Sequence, residues 1–466
     1  MKKRVLLLVA VAMSALQAMA LSETDFESND YIRAWGQLKL VTTPNSGENK
    51  VQLACQDGTA VQLRGWCTSG YQWQWAKPAF DQKSDFAGMK KFGANVVRLT
   101  CYVANGSINP TNWNNQKTWL KNAITWANEL GMYCIVDYHV LKVGNPDNSS
   151  GNPNDYLIEG TEKNRPRQVA TDFFSEISAY VKENEYIHVI YEICNEPSGV
   201  AWSRVKAYAN TVLPFIADND PNAVVIVGTG NYSQQLSNVT ANDGLIIHNT
   251  LQIMYAFHFY ACSHGFLFNS QFTAANLNKI PVFITEWNNT DSGGDGTCGT
   301  GDLDNFMSRI NAGGGSSQKV SWTSWKWDCN GYGNQESNAL LPITSNIKYG
   351  DGYNYTTADL KPTGKIVYDY LQTGATLTSC GGASVATAKS VTFAINPNPA
   401  KNGSFSVTLF DSGTADLTIL NLQGQAVYNT VVNNGFGLIN TYLTAGVYIV
   451  SIQSESGLKT QKLVIK

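Results

Sequence analysis

The stretch YEICNEPSG, from Tyr191 to Gly199, decides how the rest of the chain is interpreted. A short apolar run carries a carboxylate, Glu196, to its end between an amide and a proline. A run of this length that stops abruptly at Pro197 is typical of a buried strand in a parallel sheet, which presents polar side chains at the rim. We therefore expect Glu196 to have a functional role at that rim, while Ile193 and Cys194 pack beneath it.

A second stretch of the same kind is PVFITEW, from Pro281 to Trp287, which brings Glu286 to its end. A single glutamate after an apolar strand is most often a solvated strand end. Two glutamates at the mouths of two strands, however, form the arrangement that glycoside hydrolysis by paired carboxylates requires. We interpret Glu196 and Glu286 together as a catalytic pair.

Strands and helices alternate around these two stretches. Besides the opening stretch, apolar runs predict strands at 61–66, 94–102, 132–139, 223–230, 253–260, 281–287 and 321–327. Most of them are separated by a helical pattern, and Thr363 to Leu371 supplies a closing helix. This alternation predicts an α/β fold, the (β/α)8 or TIM barrel, whose active site lies at the carboxyl ends of the strands.

The composition of the chain changes along its 466 residues, which are enough for two domains. Residues 1–20 combine basic, apolar and small-residue segments in the order of a signal peptide. We assign 31–372 to the catalytic barrel and 373–390, which is small, polar and almost uncharged, to a linker. Residues 391–466 read as short alternating strands broken by Gly and Asn, which predicts a small all-β sandwich.

Charge and export signals limit the partners of the protein. The formal net charge is -3 and only 15% of residues are charged. The chain thus has no excess of positive charge for binding a polyanion, and we expect no nucleic-acid partner. The signal peptide predicts a secreted or cell-surface protein. No later run approaches the ~20 apolar residues of a membrane span, so no stable membrane insertion is expected. We expect a monomer, and no CxxC or HxxxH pattern argues for a metal or another cofactor.

Nine cysteines leave at least one thiol unpaired. Cys134 and Cys194 fall inside predicted strands, where a free buried thiol that packs as a small hydrophobe is expected. Cys262 and Cys298 follow consecutive strands and could form a disulfide across loops.

Polar and aromatic residues gather at the predicted strand ends: Arg98, His139, Asn195, Glu196, His258, Tyr260, Glu286 and Trp325. They stand in the segments LRGW, GANVVRLT, IVDYH, YEICNEPSG, YAFHFY, FITEW and SWTSWKW. This set resembles the motifs of glycoside hydrolase family 5, and within it the bacterial endo-β-1,4-glucanases, over roughly Gly36 to Leu371. The segment around Ser69 and the longer text after Trp325 differ from the family pattern.

The resemblance implies a role for each of these residues. Glu196 is the expected general acid/base and Glu286 the nucleophile of a retaining enzyme, whose carboxyl groups stand ~5–5.5 Å apart. Arg98 and Tyr260 are expected to hydrogen-bond Glu286, and a structural ion pair is the alternative for Arg98. Asn195 is expected to contact the 2-hydroxyl of the reacting sugar.

Histidines and tryptophans complete the expected site. His139 and His258 are expected to line it, whereas His188, His248 and His264 are expected to be structural. Trp325 is the expected sugar platform, because the C–H face of a pyranose stacks well on an aromatic ring. Trp73 and Trp287 are further platform candidates, with plain packing as the alternative.

The C-terminal domain resembles the sorting domain of the type IX secretion system, with NPNPAKNGSF at its start and GVYIVSI before a KLVIK ending. The alternative is a carbohydrate-binding module. All twelve tryptophans lie before Asp328, which disfavours a module that binds glycans on exposed aromatic platforms.

The sequence therefore predicts a secreted, metal-independent, retaining endo-β-1,4-glucanase that acts on β-glucan. The same machinery acting on β-mannan, xyloglucan or mixed-linkage glucan is the first alternative. A non-catalytic glycan-binding surface protein is the second.

Overall fold

A computed structural model provides the structure of the protein. It describes residues 29–45, 48–71, 81–104, 110–140, 166–241, 243–311, 319–329, 337–341, 351–373, 380, 393–409, 414–421, 425–433, 435–454 and 457–466. The predicted signal peptide and Trp73 lie outside these residues, as does most of the predicted linker. Within them, no helix combines the length and the apolar character that a membrane span needs.

The first unit, Met1–Cys380, contains ten strands and twelve helices among its described residues. Its strands are β1 Lys39–Asn45, β2 Glu48–Ala54, β3 Arg64–Cys67, β4 Val96–Ala104, β5 Tyr133–Val140, β6 Val189–Glu192, β7 Val224–Gly228, β8 Gln252–Tyr260, β9 Val282–Asn288 and β10 Ser321–Ser324. Its helices are α1 Tyr31–Trp35, α2 Lys83–Lys91, α3 Pro110–Glu129, α4 Pro166–Glu183, α5 Trp202–Ala217, α6 Gly230–Ser233, α7 Leu236–Thr240, α8 Ala261–His264, α9 Leu267–Ser270, α10 Ala274–Leu277, α11 Gly301–Ile310 and α12 Pro362–Gln372. Two 3₁₀ turns, Gly352–Asn354 and Thr357–Asp359, precede α12.

Eight of these strands close into a barrel in the order β10-β3-β4-β5-β6-β7-β8-β9. Each neighbouring pair is parallel. The predicted (β/α)8 barrel is therefore confirmed. The fourth barrel strand, β6, ends at Glu192, so Glu196 stands on the loop beyond the strand.

Two apolar layers hold the barrel together. Outward-facing strand residues such as Val97 and Val136 pack against the surrounding helices. Inward-facing residues near the strand starts, such as Ile135, pack with Trp35 and Leu53 from the N-terminal segment. The antiparallel pair β1–β2 and helix α1 thus belong to the cluster at the amino-terminal end of the barrel, and the opposite end is left for polar residues.

Two disulfides are present among the described cysteines. Cys262 and Cys298 are bonded, as their predicted positions after consecutive strands suggested. Cys55 and Cys380 are also bonded, which the sequence did not predict, and this bond attaches one residue of the predicted linker to the first unit. Cys134 and Cys194 are free and buried, as expected.

The second unit, Gly381–Lys466, is all-β. Its strands are β11 Phe393–Lys401, β12 Ser404–Leu409, β13 Thr414–Leu420, β14 Ala426–Asn433, β15 Phe436–Asn440, β16 Gly446–Ser454 and β17 Gly457–Ile465. They form one sheet in the order β11-β12-β15-β14-β13-β16-β17, which closes through the pairing of Ala400 with Ile465. Alternate residues such as Phe405, Leu417 and Ile452 fill its interior. The prediction of a small all-β domain is confirmed.

The two disulfides differ in the length of chain that they close, which predicts different contributions to stability. The sequence separations are 325 residues for Cys55–Cys380 and 36 for Cys262–Cys298. Loop-closure entropy then makes the Cys55→Ala/Cys380→Ala variant less stable than the Cys262→Ala/Cys298→Ala variant by about 2 kcal/mol. Urea unfolding of the barrel, followed by tryptophan fluorescence in both double variants, measures the difference. Equal losses would show that strain or residual structure, and not loop length, decides the effect.

Candidate active site

The carboxyl ends of the barrel strands bring the predicted polar residues together. One carboxylate oxygen of Glu196, one of Glu286 and a ring nitrogen of His258 lie within 4.8 Å of one another. Retaining glycosidases place their two carboxyl groups ~5–5.5 Å apart, whereas inverting enzymes leave ~6.5–9.5 Å for a water molecule. The spacing of Glu196 and Glu286 therefore fits direct attack by one carboxylate while the other transfers a proton.

A β-bulge in β9 sets the direction of Glu286. Ala256 of β8 pairs with Phe283, but His258 pairs with Glu286, so β9 contains one extra residue between the two pairs. A bulge of this kind re-aims side chains next to the irregularity. Thr285 and Glu286 can therefore both contact groups inside the barrel although they are consecutive in sequence.

The loop that carries Glu196 is fixed by its neighbours. The backbone N–H of Asn195 donates to the Tyr138 carbonyl at 3.2 Å, and the Asn195 carbonyl accepts from Ser233 Oγ at 2.7 Å. Gly228 at the end of β7 allows a close approach, because a Cβ there would lie 2.4 Å from the Cys194 carbonyl oxygen. These contacts hold the Glu196 backbone against the next strand of the barrel.

Glu286 accepts two hydrogen bonds that suit its ionised form. The Tyr260 hydroxyl donates to Oε1 at 2.5 Å, and Arg98 Nη1 donates to Oε2 at 3.2 Å. Burial raises the pKa of Glu286, and the positive charge of Arg98 opposes this shift without cancelling it. Burial also raises the pKa of Tyr260 well above its usual value, so this phenol remains a donor. Both predicted contacts of Glu286 are present.

Arg98 is the centre of a larger buried network. Its Nε contacts Glu192 at 2.6 Å, and its Nη2 contacts Asn195 Oδ1 at 2.6 Å and Asp137 at 3.0 Å. Burial alone would lower the pKa of Arg98, but Asp137 and Glu192 with other acidic groups raise it well above the usual value. The guanidinium therefore fixes the side chain of Asn195 as well as that of Glu286.

A chain of hydrogen bonds connects this network to Glu196. Thr285 Oγ1 donates to Glu192 Oε1 at 2.7 Å, His258 Nε2 lies 2.8 Å from Thr285 Oγ1, and His258 Nδ1 lies 2.7 Å from Glu196 Oε1. We call Glu192, Thr285, His258 and Glu196 the relay.

The relay determines where its protons lie. Arg98 donates to Glu192, which favours a carboxylate there, so Thr285 gives its single proton to Glu192 and must accept from His258 Nε2–H. A neutral His258 then offers only a lone pair at Nδ1, which requires a proton on Glu196. Burial lowers the pKa of His258 to about 4 and raises that of Glu196 to about 7, in agreement with this arrangement.

His139 and Trp325 form one wall of the site. The two rings stack at a centroid distance of 5.6 Å with an interplanar angle of 14°. His139 Nδ1 lies 2.6 Å from Asp137 Oδ2, and burial lowers the pKa of His139 to about 3. Because Arg98 Nη2 also contacts Asp137 Oδ2 and favours its carboxylate form, the neutral ring donates through Nδ1 and keeps an acceptor at Nε2. Trp325 is half-buried, which leaves part of its ring accessible.

The prediction that Trp287 is a sugar platform is wrong. Its side chain is fully buried and packs against Phe259, Trp322 and Tyr370 on the outer side of the barrel. The ring faces the helices because side chains alternate again after the bulge, so Trp287 points to the opposite face of β9 from Glu286. Trp73, the other platform candidate, lies outside the described residues.

The other three histidines form hydrogen bonds with backbone groups. His188 is buried with Nε2 3.0 Å from the Ile124 carbonyl, and His248 accepts backbone N–H groups at Nδ1. His264 accepts the backbone N–H of Tyr260. These contacts agree with structural roles.

Sequence reasoning missed Asp137, Glu192 and Thr285, although all three are fully buried beside the site. A signal was present, because charged residues are almost never fully buried unless they are paired. Asp137 stands two residues before His139 on the same strand, and Glu192 lies opposite Asp137 in the register. Acidic residues inside apolar barrel strands, two to four positions before a site residue, are thus candidates for supporting roles.

Two groups of described residues have the proximity that a metal ion needs. One comprises Cys55, Asp57 and Cys380, but both its cysteines are in a disulfide. The other is the cluster of Glu196, His258 and Glu286 itself. Within this cluster, Glu286 already accepts a hydrogen bond from the Arg98 cation, and His258 Nε2 is already hydrogen-bonded to Thr285.

The fold and the site define a class of protein, the (β/α)8 barrels that carry two neighbouring carboxylates at the carboxyl ends of their strands. Comparison with known proteins agrees with this class. The chain belongs to glycosyl hydrolase family 5, the cellulase family, whose model matches residues 55–331.

Several bacterial endoglucanases are similar in sequence to this chain. The chain is 32% identical over 334 residues to an endoglucanase of Clostridium saccharobutylicum, a match that covers 71% of this chain and 66% of that protein. It is 32% identical over 332 residues to endoglucanase A of Evansella cellulosilytica, which covers 69% and 58% respectively. The chain thus spans less than two thirds of the length of these relatives.

Solved structures show the same architecture. The catalytic domain of Thermobifida fusca endoglucanase Cel5A superposes with a TM-score of 0.58 at 28% identity, covering 74% of this chain and all of that one. A variant of that domain in complex with cellotetraose superposes with a TM-score of 0.59 at the same identity and coverage.

The second unit has a family of its own. Residues 394–466 match the secretion system C-terminal sorting domain. The protein is therefore secreted or attached to the cell surface, as the sequence predicted.

The relay makes a prediction about the tautomer of His258. In protein labelled with ¹⁵N-histidine, we expect a neutral ring with the proton on Nε2 between pH 5 and 8, because Thr285 accepts at that position and the pKa is about 4. Heteronuclear NMR of the ring nitrogens distinguishes the two tautomers. Replacement of Thr285 by valine should release this preference, whereas His188, bonded to the Ile124 carbonyl, should keep its Nε2–H tautomer. A His258 that carries its proton on Nδ1 in the unmodified protein would contradict the relay.

Proposed function

We propose that the protein is a secreted, retaining endo-β-1,4-glucanase that hydrolyses cellulose-type β-glucan. The observation that carries this proposal is the proximity of Glu196 and Glu286, whose nearest oxygens lie within 4.8 Å. Family membership and the endoglucanase relatives support the reaction class. The cellotetraose bound to the related Thermobifida fusca domain supports a β-1,4-glucan as substrate.

In the first step, Glu286 attacks the anomeric carbon and Glu196 protonates the leaving oxygen. Tyr260 and Arg98 orient the attacking carboxylate through one hydrogen bond to each oxygen. Glu196 begins this step protonated, because its pKa is raised to about 7 and His258 Nδ1 accepts from it. A glycosyl ester on Glu286 and a carboxylate on Glu196 result.

In the second step, Glu196 removes a proton from water, which attacks the anomeric carbon and releases Glu286. Asn195, held by Arg98 through its Oδ1, is left with its amide N–H₂ to donate to the 2-hydroxyl of the reacting sugar. Trp325 and His139 provide the wall on which that sugar stacks. The configuration at the anomeric carbon is retained after two displacements.

The choice of glycan depends on subsites away from the paired carboxylates. β-Mannan, xyloglucan and mixed-linkage glucan would meet the same catalytic groups. Reducing-sugar release from carboxymethylcellulose, mannan and xyloglucan, measured side by side, separates these substrates. Release from carboxymethylcellulose above the others supports the proposal, and release from none would favour a glycan-binding protein without catalysis.

We further propose that the C-terminal domain is the address read by the type IX secretion machinery. The match to a secretion-system sorting domain supports this role. The predicted signal peptide at 1–20 and this C-terminal domain together favour export in two stages. Secretion of a chain that ends near Ser390 tests the proposal, since normal export of that chain would exclude a sorting role.

The two glutamates should respond differently to replacement by glutamine. Glu286→Gln removes the nucleophile, so hydrolysis of every substrate should be lost. Glu196→Gln removes the acid, which contributes ~10²–10⁴-fold, so carboxymethylcellulose hydrolysis should fall by that order. Glycosylation by 2,4-dinitrophenyl β-cellobioside should persist in part, because its leaving group needs little protonation.

Initial rates on the two substrates measure this difference. Glu176→Gln, which alters an ion pair with Lys117 and Lys121 on the outer helices, serves as the control and should retain activity. Equal losses on both substrates for Glu196→Gln and Glu286→Gln would contradict the assigned roles.

The dependence of kcat/KM on pH should reflect the proton on Glu196. Because this group must be protonated in the first step and its pKa is about 7, activity should fall as pH rises through about 7. Thr285→Val allows His258 to carry its proton on Nδ1 and to donate to ionised Glu196. The pKa of Glu196 then decreases, so the loss of activity should move to lower pH. Thr323→Val removes a hydroxyl that donates to the Thr285 carbonyl and accepts from Cys67 Sγ, and it leaves the Thr285 hydroxyl in place, so it is the matched control. An unchanged profile in Thr285→Val would show that the relay does not set this pKa.

A further inference from the structure

Lys326 directly follows Trp325 and contributes a cation to the wall of the site. Its Nζ lies 5.3 Å from the centroid of the Trp325 ring. The side chain is 12% exposed, so most of its stem is packed while part of it reaches the surface. Lys326 is not among the site residues that were predicted from the sequence.

An ion pair with Asp328 positions the ammonium group of Lys326. Its Nζ lies 3.4 Å from Asp328 Oδ2, and the side chain of Asp328 is 2% exposed. Ser69 Oγ donates to the same oxygen at 3.0 Å. The loop after β3 and the loop after β10 are therefore joined beside the site through one buried carboxylate.

The backbone of Lys326 is fixed as well. Its N–H donates to the Ser337 carbonyl at 3.0 Å, and its carbonyl accepts from Ala339 N–H at 3.0 Å. A lysine on an exposed loop samples many rotamers, whereas a lysine held at both its backbone and its ammonium group is pre-organised. An ammonium group placed in this way can bind a hydroxyl without much further loss of conformational entropy.

The charge of Lys326 acts on the same site. Its positive charge contributes to lowering the pKa of His139, the ring that stacks on Trp325. Because Asp328 balances the charge, the local environment favours a neutral polar ligand over an anionic one. Sugar hydroxyls, which accept hydrogen bonds from an ammonium group, have this chemistry.

We propose that Lys326 is a substrate-binding residue that donates a hydrogen bond to a hydroxyl group of the sugar unit stacked on Trp325. Asp328 and Ser69 are positioning residues for its ammonium group. This inference rests on the proposed function, because it assumes that a β-glucan occupies the cleft.

The test compares Lys326→Met with the unmodified enzyme on 4-nitrophenyl β-cellobioside and on its monodeoxy derivatives. Methionine keeps an apolar stem and removes the donor. A hydrogen bond that involves a charged group predicts a loss of ~10–100-fold in kcat/KM on the parent substrate. On the one derivative that lacks the contacted hydroxyl, enzyme and variant should react at nearly equal rates, as in a double-mutant cycle.

Two further variants separate binding from structure. Lys326→Arg keeps the cation and should recover most of the lost activity. Lys365→Met removes a lysine that also lies near an aspartate and an aromatic ring, Asp369 and Tyr368, but on the outer helix α12, and it should leave kcat/KM unchanged. Thermal unfolding of each variant shows whether the fold is intact.

The outcomes are distinct. Wild-type kcat/KM in Lys326→Met, or a loss that is the same for the parent and every deoxy derivative, would overturn the proposal. If the unmodified protein hydrolyses no β-glucoside, the proposed function fails, and calorimetric binding of cellotetraose to Glu286→Gln with and without Lys326→Met decides the inference separately. Weaker binding by ~10-fold or more supports it, and equal binding overturns it.

Discussion

The buried guanidinium of Arg98 is the interaction on which the site depends. It is fully buried and contacts Asp137, Glu192 and Glu286, as well as the amide oxygen of Asn195. Arginine suits this position because its planar fork carries five donors and keeps its charge at any ordinary pH. Removing one member of such a buried network costs ~3–5 kcal/mol, since it leaves an uncompensated charge. The position of Glu286, the proposed nucleophile, and the stability of the barrel interior therefore depend on the same contacts.

Charge balance in this network explains why one carboxyl group holds a proton. Four acidic groups, Asp137, Glu192, Glu196 and Glu286, surround one arginine and two histidines that burial keeps neutral. Burial raises the pKa of all four acids. They cannot all be ionised beside a single cation. Asp137, Glu192 and Glu286 each contact the Arg98 guanidinium, which favours their ionised forms, whereas Glu196 contacts the neutral His258 at Nδ1, so Glu196 is the acid that this arrangement protonates.

The fold and the main site residues could be predicted from the sequence because their signals are local. Apolar runs that end in polar residues gave all eight barrel strands, and the two glutamates stand at the ends of two such runs. The bulge in β9 has no such signal, and without it the directions of Thr285, Glu286 and Trp287 cannot be assigned. The same is true of the Cys55–Cys380 disulfide, which joins residues 325 positions apart. Its two cysteines meet only after the barrel has closed.

The relay also bears on how one residue serves as acid and then as base in the proposed reaction. When Glu286 forms its ester, it loses a negative charge, and Glu196 gains one by giving up its proton. The net charge near Arg98 stays constant, so the buried network need not reorganise between the two steps. The ionised Glu196 then faces the lone pair of His258 Nδ1, because Thr285 and Glu192 keep the histidine proton on Nε2. A carboxylate that faces a lone pair is destabilised, which makes Glu196 a stronger base for the water molecule that completes hydrolysis. The contact with His258 Nδ1 that keeps Glu196 protonated before the reaction therefore also favours the transfer of a proton from water back to Glu196.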